Sequence, residues 1–320
     1  MNWHWLDRHR WLGPFVALLV LYAVFATVQP DTFPTVGNLK TMVRQTSVVG
    51  LGALGMTLII VLGGIDLSVG SAVAFVTVVI AWLLQAGWNP LVAAIAGILV
   101  GGTCGLVNGL LITGLRVTPF IVTLGAMGII RGAAKGLAHE QKIDAPATWL
   151  NDLVAELPRH QAWMLFPPGV WLTVALAVAA AVMLGYTRFG RHIFAIGSNE
   201  AAARLCGVRV RRVKVSVYTL AALLAGAAGL MQFSRLTVGD PTVAIGLELD
   251  IIAAVVIGGG SLSGGEGSIL GALVGAMLMT EIKTGCTHAG LSVWVQEMIT
   301  GEIIVVVVAL DRLRHRRGAD

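Results

Sequence analysis

Residues 61–70 read Val61-Leu62-Gly63-Gly64-Ile65-Asp66-Leu67-Ser68-Val69-Gly70, and residues 256–265 read Val256-Ile257-Gly258-Gly259-Gly260-Ser261-Leu262-Ser263-Gly264-Gly265. Aligned without gaps, six of the ten positions are identical: Val61/Val256, Gly63/Gly258, Gly64/Gly259, Leu67/Leu262, Ser68/Ser263 and Gly70/Gly265. A serine follows directly as Ser71 and, after Glu266-Gly267, as Ser268. Each copy closes one apolar run and opens another. Paired glycines let backbones approach closely and take up the positive φ of a sharp turn. Leu-Ser then opens the next helix, with the serine as N-cap for its orphan amides. The plainer alternative is two tight helix–helix connections. Internal repeats with interrupted helices mark membrane-transport folds and line the substrate path there. Gly63, Gly64, Asp66, Ser68, Gly258, Gly259, Ser261 and Ser263 are therefore the candidate pivot or translocation-path residues.

Asp66 is the acid inside the first copy. An acid at membrane depth costs about 2.5–3.5 kcal/mol at a helix centre, so it calls for a reason. Its aligned partner, Ser261, is not acidic, so the repeat does not itself require a charge. Capping or packing is one reading; a conformational or pathway role is the other.

The rest of the chain agrees with a membrane setting. Of its 320 residues, 56% are hydrophobic and only 12% charged, about half the roughly 25% of a soluble domain. That excludes a soluble globular domain, and the apolar content excludes disorder. The 40 glycines follow no collagen period and are frequent as in transmembrane helices. The expected fold is all-α, a polytopic helical membrane protein formed by residues 1–320 as a single transmembrane domain. The three cysteines, Cys104, Cys206 and Cys286, have neither metal-ligand nor disulfide spacing, and no metal site is expected.

Reading apolar runs against a bilayer core of about 30 Å gives about ten transmembrane segments. They are 12–28, 47–62, 68–86, 91–113, 117–137, 169–187, 214–233, 247–260, 268–282 and 291–310. Several are short and bounded by glycines, as in broken or re-entrant helices, which need protein or water around the freed backbone. One re-entrant run between the glycine copies would invert their relative orientation. Arg8 and Arg10 precede the first run as in a signal peptide, but no small-x-small site closes it before Gln29-Pro30. A retained first helix is expected.

Lys and Arg set the orientation. Arg188, Arg191, Arg204, Arg209, Arg211, Arg212 and Lys214 cluster between the sixth and seventh runs. Arg312, Arg314, Arg316 and Arg317 lie at the C-terminus. Even numbers of runs separate these clusters from each other and from Arg8 and Arg10. All three then face the cytoplasm, as do both termini, and the 138–168 loop lies outside. The formal net charge of +5 is thus a matter of topology and gives no case for nucleic-acid binding. Arg131 and Lys135, one turn apart, either snorkel outward or face a polar vestibule, and Arg235 and Asp240 carry the same ambiguity.

The cytoplasmic loop 188–214 contains a short helix over 198–206. Ser198 or Asn199 can cap it, and Glu200 suits its positive end. Ala201, Ala202, Ala203, Arg204 and Leu205 are good formers, and Gly207 suits a left-handed terminator. Two turns are unstable alone in water, so flanking spans or a partner must hold them. A docking helix explains the capping better than an incidental turn in a basic loop.

These segments resemble the inner-membrane permease subunits of bacterial ABC sugar importers, the ribose/xylose/arabinose/galactose group. The resemblance rests on Gly63-Gly64-Ile65-Asp66-Leu67-Ser68-Val69-Gly70-Ser71, Asn108-Gly109-Leu110-Leu111-Ile112, and Pro119-Phe120-Ile121-Val122-Thr123-Leu124-Gly125 with Arg131-Gly132. It continues through Gly197-Ser198-Asn199-Glu200-Ala201-Ala202-Ala203 and Gly258-Gly259-Gly260-Ser261-Leu262-Ser263-Gly264-Gly265-Glu266-Gly267-Ser268. It covers essentially the whole chain in order. It implies a multi-pass protein of the bacterial inner membrane that forms the translocation path for a pentose or hexose. It also implies a homodimer, or a heterodimer with a second permease, a periplasmic sugar-binding protein and a cytoplasmic ABC ATPase. ATP and Mg would be used by that ATPase, with no cofactor on this chain. The 198–206 helix would be the coupling helix, through Ser198, Asn199, Glu200, Ala201, Ala202, Ala203, Arg204, Leu205 and Gly207. Residues 138–148 match no single sugar's permease, so the resemblance leaves the sugar open, with ribose or another pentose as the starting expectation.

Other functions fit less well. No Gly-x4-Gly-Lys-Ser/Thr phosphate loop is present, so the chain is not itself an ATPase. An ion-gradient-driven secondary transporter would recruit intramembrane acids or histidines, and Asp66 is nearly alone. His139-Glu140 fails the zinc-protease pattern, because Ile143 stands where its second histidine belongs. An intramembrane hydrolase would need Ser261 or Ser263 within reach of His288.

Overall fold

Apolar segments long enough for lipid, each started by a cap or a proline, make this chain a helix bundle. The computed structural model describes residues 12–316. In order, the helices are α1 (Leu12–Val28), α2 (Val36–Val61), α3 (Val69–Gln85), α4 (Pro90–Leu115), α5 (Pro119–Leu137) and α6 (Pro168–Tyr186). They continue as α7 (Arg188–Ser198), α8 (Glu200–Leu205), α9 (Val210–Leu236), α10 (Leu247–Ile257), α11 (Ile269–His288) and α12 (Val293–Arg316). Thr35 caps α2 by accepting from Asn38 N, and Asn89 caps α4 by accepting from Leu91 N. Pro90, Pro119 and Pro168 open their helices, where the missing amide costs nothing.

Six helices, α2, α4, α5, α6, α9 and α11, are long and apolar enough to cross a membrane, while α1 and α3 are shorter apolar helices. Six such helices are fewer than the ten or so spans expected, and 247–260 departs most from a full span. There α10 has 11 residues, about 16 Å at about 1.5 Å per residue, half of a hydrocarbon core. Residues 237–246, which precede it, are a two-residue strand and turns. Helix α11, by contrast, runs on to His288, past the expected end at 282. The basic residues Arg8, Arg10 and Arg317 lie outside the described residues.

Helix α9 is central, packing against α4, α2 and α3. Small residues allow this. A Cβ on Gly101 would come within 3.0 Å of Ala222 O, and one on Gly109 within 2.9 Å of Val215 Cα. Close backbone contact is how helices associate where lipid is as apolar as the side chains. The outward faces are apolar, with Ile129 75% and Val178 59% exposed. Such a surface would aggregate in water and is covered by lipid in a membrane.

One end of the bundle carries β1 (Ile143–Asp144) and β2 (Val238–Gly239), paired antiparallel as Ile143↔Gly239 and Asp144↔Val238. Arg44 pairs with Glu156 at 3.0 Å on the same side. Helices α7 and α8 lie at the opposite end, beside the start of α9 and the end of α2.

Candidate functional site

The two glycine elements end their helices in the same way. After α2, Gly63 N donates to Ile60 O and Gly64 N to Ile59 O, both at 2.9 Å, and Gly63 has φ +88°. After α10, Gly259 N donates to Val256 O at 3.0 Å and Gly260 N to Val255 O at 2.9 Å, and Gly259 has φ +90°. Both are left-handed terminators with the paired bonds of a Schellman motif. Gly63 thus corresponds to Gly259, one residue away from the ungapped match of Gly63 with Gly258. Gly258 instead packs its backbone directly on Gly271 of α11. The geometry does not establish an internal repeat beyond this shared turn.

Past the turns the two elements diverge. Ser68 was expected to cap α3, yet its side chain makes no cap hydrogen bond. It is turned back on the preceding loop instead, where Asp66 Oδ1 accepts from Ser68 N at 2.8 Å and from Ser68 Oγ at 2.6 Å. Ser68 Oγ in turn accepts from Asn108 Nδ2 of α4 at 2.9 Å. All three residues are buried, so the chain Asn108–Ser68–Asp66 gives the acid the partners that burial demands. In the second element Ser263 opens no helix, because its amide donates to Ser261 Oγ at 3.3 Å. Helix α11 starts later, capped by Ser268, which accepts from Gly271 N at 3.3 Å.

The two elements touch. Gly265 N donates to Val61 O at 2.8 Å. A Cβ on Gly264 would lie 3.0 Å from Gly63 Cα and 2.7 Å from Gly197 O. A Cβ on Gly197 would overlap Val61 O, and one on Gly265 would lie 3.1 Å from Ser198 Cα. Behind them, a Cβ on Gly64 would come within 2.5 Å of the hydroxyl of Tyr218, a buried α9 residue. Three backbone segments therefore meet without an intervening side chain: the end of α2, the turn before α11 and the end of α7.

Helix α8 follows that contact immediately. Asn199, rather than Ser198, is its cap, accepting from Ala202 N at 2.9 Å. Gly207, at φ +82°, lies in the left-handed region, and Gly207 N donates to Arg204 O at 3.0 Å. Glu200 accepts from Lys214 at 2.7 Å and from Arg204 at 2.9 Å, and the Lys214 hydrogen bond holds its carboxyl below the usual carboxylate range. Ala203 is buried, while Ala201, Ala202 and Arg204 are exposed and Leu205 is 90% exposed. The helix is thus held on one face and presented on the other. Its neighbour α7 was not foreseen. It is a separate amphipathic helix that buries Gly190, Ile193 and Ile196.

The remaining candidates are scattered. Arg131 neither snorkels nor waits in a vestibule; its Nη1 donates to Pro241 O at 2.9 Å and Val243 O at 2.6 Å. Lys135 and Arg235 are exposed. Asp240 accepts from Thr242 N and Oγ1 and pairs with Lys142 at 3.3 Å. His288 contacts Thr32 and Asn38 at the far end of α11, about 30 Å by helix rise from the segment holding Ser261 and Ser263, so it forms no hydrolase pair with either serine. Asp66 is also not nearly alone. Asp250 pairs with Lys283, and Glu281 is 0% exposed. Neither carboxylate oxygen of Glu281 has a hydrogen-bond partner among the described residues.

An apolar-surfaced bundle with buried helix breaks, and an exposed capped helix resting on them, defines a helical membrane transport protein. The sequence relations narrow this further. A family described as "Branched-chain amino acid transport system / permease component" matches residues 38–308, and the chain belongs to it. It is 39% identical to the ribose import permease protein RbsC of Escherichia coli K12, over 97% of this chain and 95% of that protein. It is 39% identical to RbsC of Bacillus subtilis, over 94% and 92%. To the L-arabinose ABC transporter permease protein AraH of Azospirillum brasilense it is 33% identical, over 98% and 90%. No solved structure matches the chain.

Proposed function

We propose that this chain is the permease subunit of an ATP-binding-cassette importer and forms the path for a monosaccharide, first of all a pentose of the ribose type. The family description speaks of branched-chain amino acids. Identity along nearly the whole chain to ribose and arabinose permeases is the narrower likeness, and it favours a sugar. The observation that carries the mechanism is the contact of both glycine breaks with Gly197 and Ser198, the end of α7 that leads directly into α8. An exposed, capped helix at one end of the bundle suits docking of a soluble ATPase, which would use ATP and Mg. The seating of the preceding α7 end on Gly63 and Gly264–Gly265 suits a device that moves helix ends.

In this reading α8 and both termini face the cytoplasm, and residues 138–168 face a periplasmic binding protein. Helices α1, α3, α10 and α12 complete about ten crossings, α10 together with residues 237–246. A second copy, or a second permease, completes the pore. The buried acids Asp250 and Glu281 are what a gradient-driven transporter would use. However, Asp250 is spent on Lys283, and the family is one of permease components.

Substrate class is tested by uptake of labelled ribose into proteoliposomes holding the permease, its ATPase and its binding protein. Unlabelled pentoses are expected to compete and leucine is not. Competition by leucine with none from any sugar would move the substrate to amino acids.

A further inference from the structure

We propose that Gly197 is the positioning residue through which α8 moves both helix breaks at once; this rests on the importer reading above. Gly197 is the penultimate residue of α7, two residues before the cap of α8. Its backbone lies against both Val61 O and Gly265 N, the two atoms of the hydrogen bond that joins the breaks at 2.8 Å. A Cβ there would overlap Val61 O and come within 2.6 Å of Gly265 N. From the opposite direction, Gly264 approaches Gly197 O and Gly63 Cα, and Gly265 approaches Ser198 Cα. Gly264 and Gly265 have φ +84° and +76°, the left-handed conformations that let a glycine chain fold this tightly.

Backbone contacts differ from side-chain contacts in one mechanical respect. A side chain yields by changing rotamer, while close-packed backbone passes displacement on. Movement of α8 along this contact therefore either carries the end of α2 and the turn before α11 with it, or breaks the Gly265–Val61 bond. Helix α7 is joined to α8 through Asn199, which closes the one helix and caps the other, so the two act as one lever. A larger residue at 197 would wedge the three segments apart while leaving the docking face, two to eight residues further along, untouched.

The test is Gly197→Ala in the complete importer in proteoliposomes, with ATP hydrolysed and sugar delivered measured in the same vesicles. Their ratio does not depend on how much protein folds, which separates positioning from stability. The ATPase is expected to remain bound and active, with ATP spent per sugar rising several-fold. Gly264→Ala enters the same contact from the other side and gives the same readout if Gly197→Ala does not assemble. Gly185→Ala, with open space around it, is the control. An unchanged ratio in both junction variants overturns the proposal while the importer reading stands. Loss of the ATPase from Gly197→Ala would also overturn it, since the residue would then belong to docking. A wild-type importer without ATP-dependent uptake would overturn the importer reading and this proposal with it.

Discussion

Gly265 donates its amide to the carbonyl of Val61, so the last residue of α2 and the turn ahead of α11 are bonded backbone to backbone. Val61 and Gly265 belong to the two glycine elements that the sequence shows as near-copies. Their contact lies where α7 gives way to α8. A helix that presents Leu205 outward is thus one contact removed from two helix ends inside the bundle.

Gly259 holds φ +90°. Gly259→Leu forces a bulky side chain into the left-handed region, at about 1–3 kcal/mol. Uptake is expected to fall well below wild type with the ATPase still co-purifying. Normal uptake by this variant would show that the turn after α10 tolerates another geometry.

Ser68 stands between Asp66 and Asn108. Ser68→Ala leaves both partners short of a hydrogen bond in a buried site, costing about 1–3 kcal/mol. Asn108→Ala alone is milder, since Ser68 keeps Asp66. A double-mutant cycle on detergent-solubilised protein should show coupling of about 0.5 kcal/mol or more. Additive losses would mean that the chain of bonds does not act as a unit.

Leu205 is the most exposed residue of α8 that burial on a partner would favour. Leu205→Asp is expected to abolish co-purification of the ATPase while leaving the thermal midpoint of the permease unchanged, because Leu205 supports nothing within the chain. Full retention of the ATPase would remove α8 from the docking surface.

Glu281 is enclosed in α11 with neither oxygen hydrogen-bonded among the described residues. Replacing an unsatisfied buried polar group by an apolar one of similar size is neutral or stabilising. Glu281→Leu should keep or raise the thermal midpoint and keep uptake. Lost uptake at an unchanged midpoint would show that the acid serves transport.

Local signals explain what the sequence made legible. The cap at Asn199 and the terminator at Gly207 are set by residues within one turn, and α8 lies between them. The left-handed glycines that end α2 and α10 were equally visible. Their correspondence came out one residue off, because identity aligns side chains while a Schellman turn is fixed by distance from the helix end. Ser68 read as a cap because serine is a good one. Asn108, from another helix, engages its hydroxyl while Asp66 takes the amide, and no local pattern encodes that. Gly197 stood in a segment that carried the family resemblance, but a glycine near a helix end says nothing of a contact with residues 61 and 265. Glu281 and Lys283 read as the close of a membrane run, whereas they sit inside α11, where Lys283 meets Asp250.

The central claim is that a separate ATPase drives this permease. It is tested most directly in proteoliposomes that hold the permease with its ATPase and binding protein, by following labelled ribose under ATP, under an imposed proton gradient and under an imposed sodium gradient. The account predicts accumulation with ATP on the ATPase side and none with either gradient alone. Accumulation driven by a gradient in vesicles lacking the ATPase would contradict it.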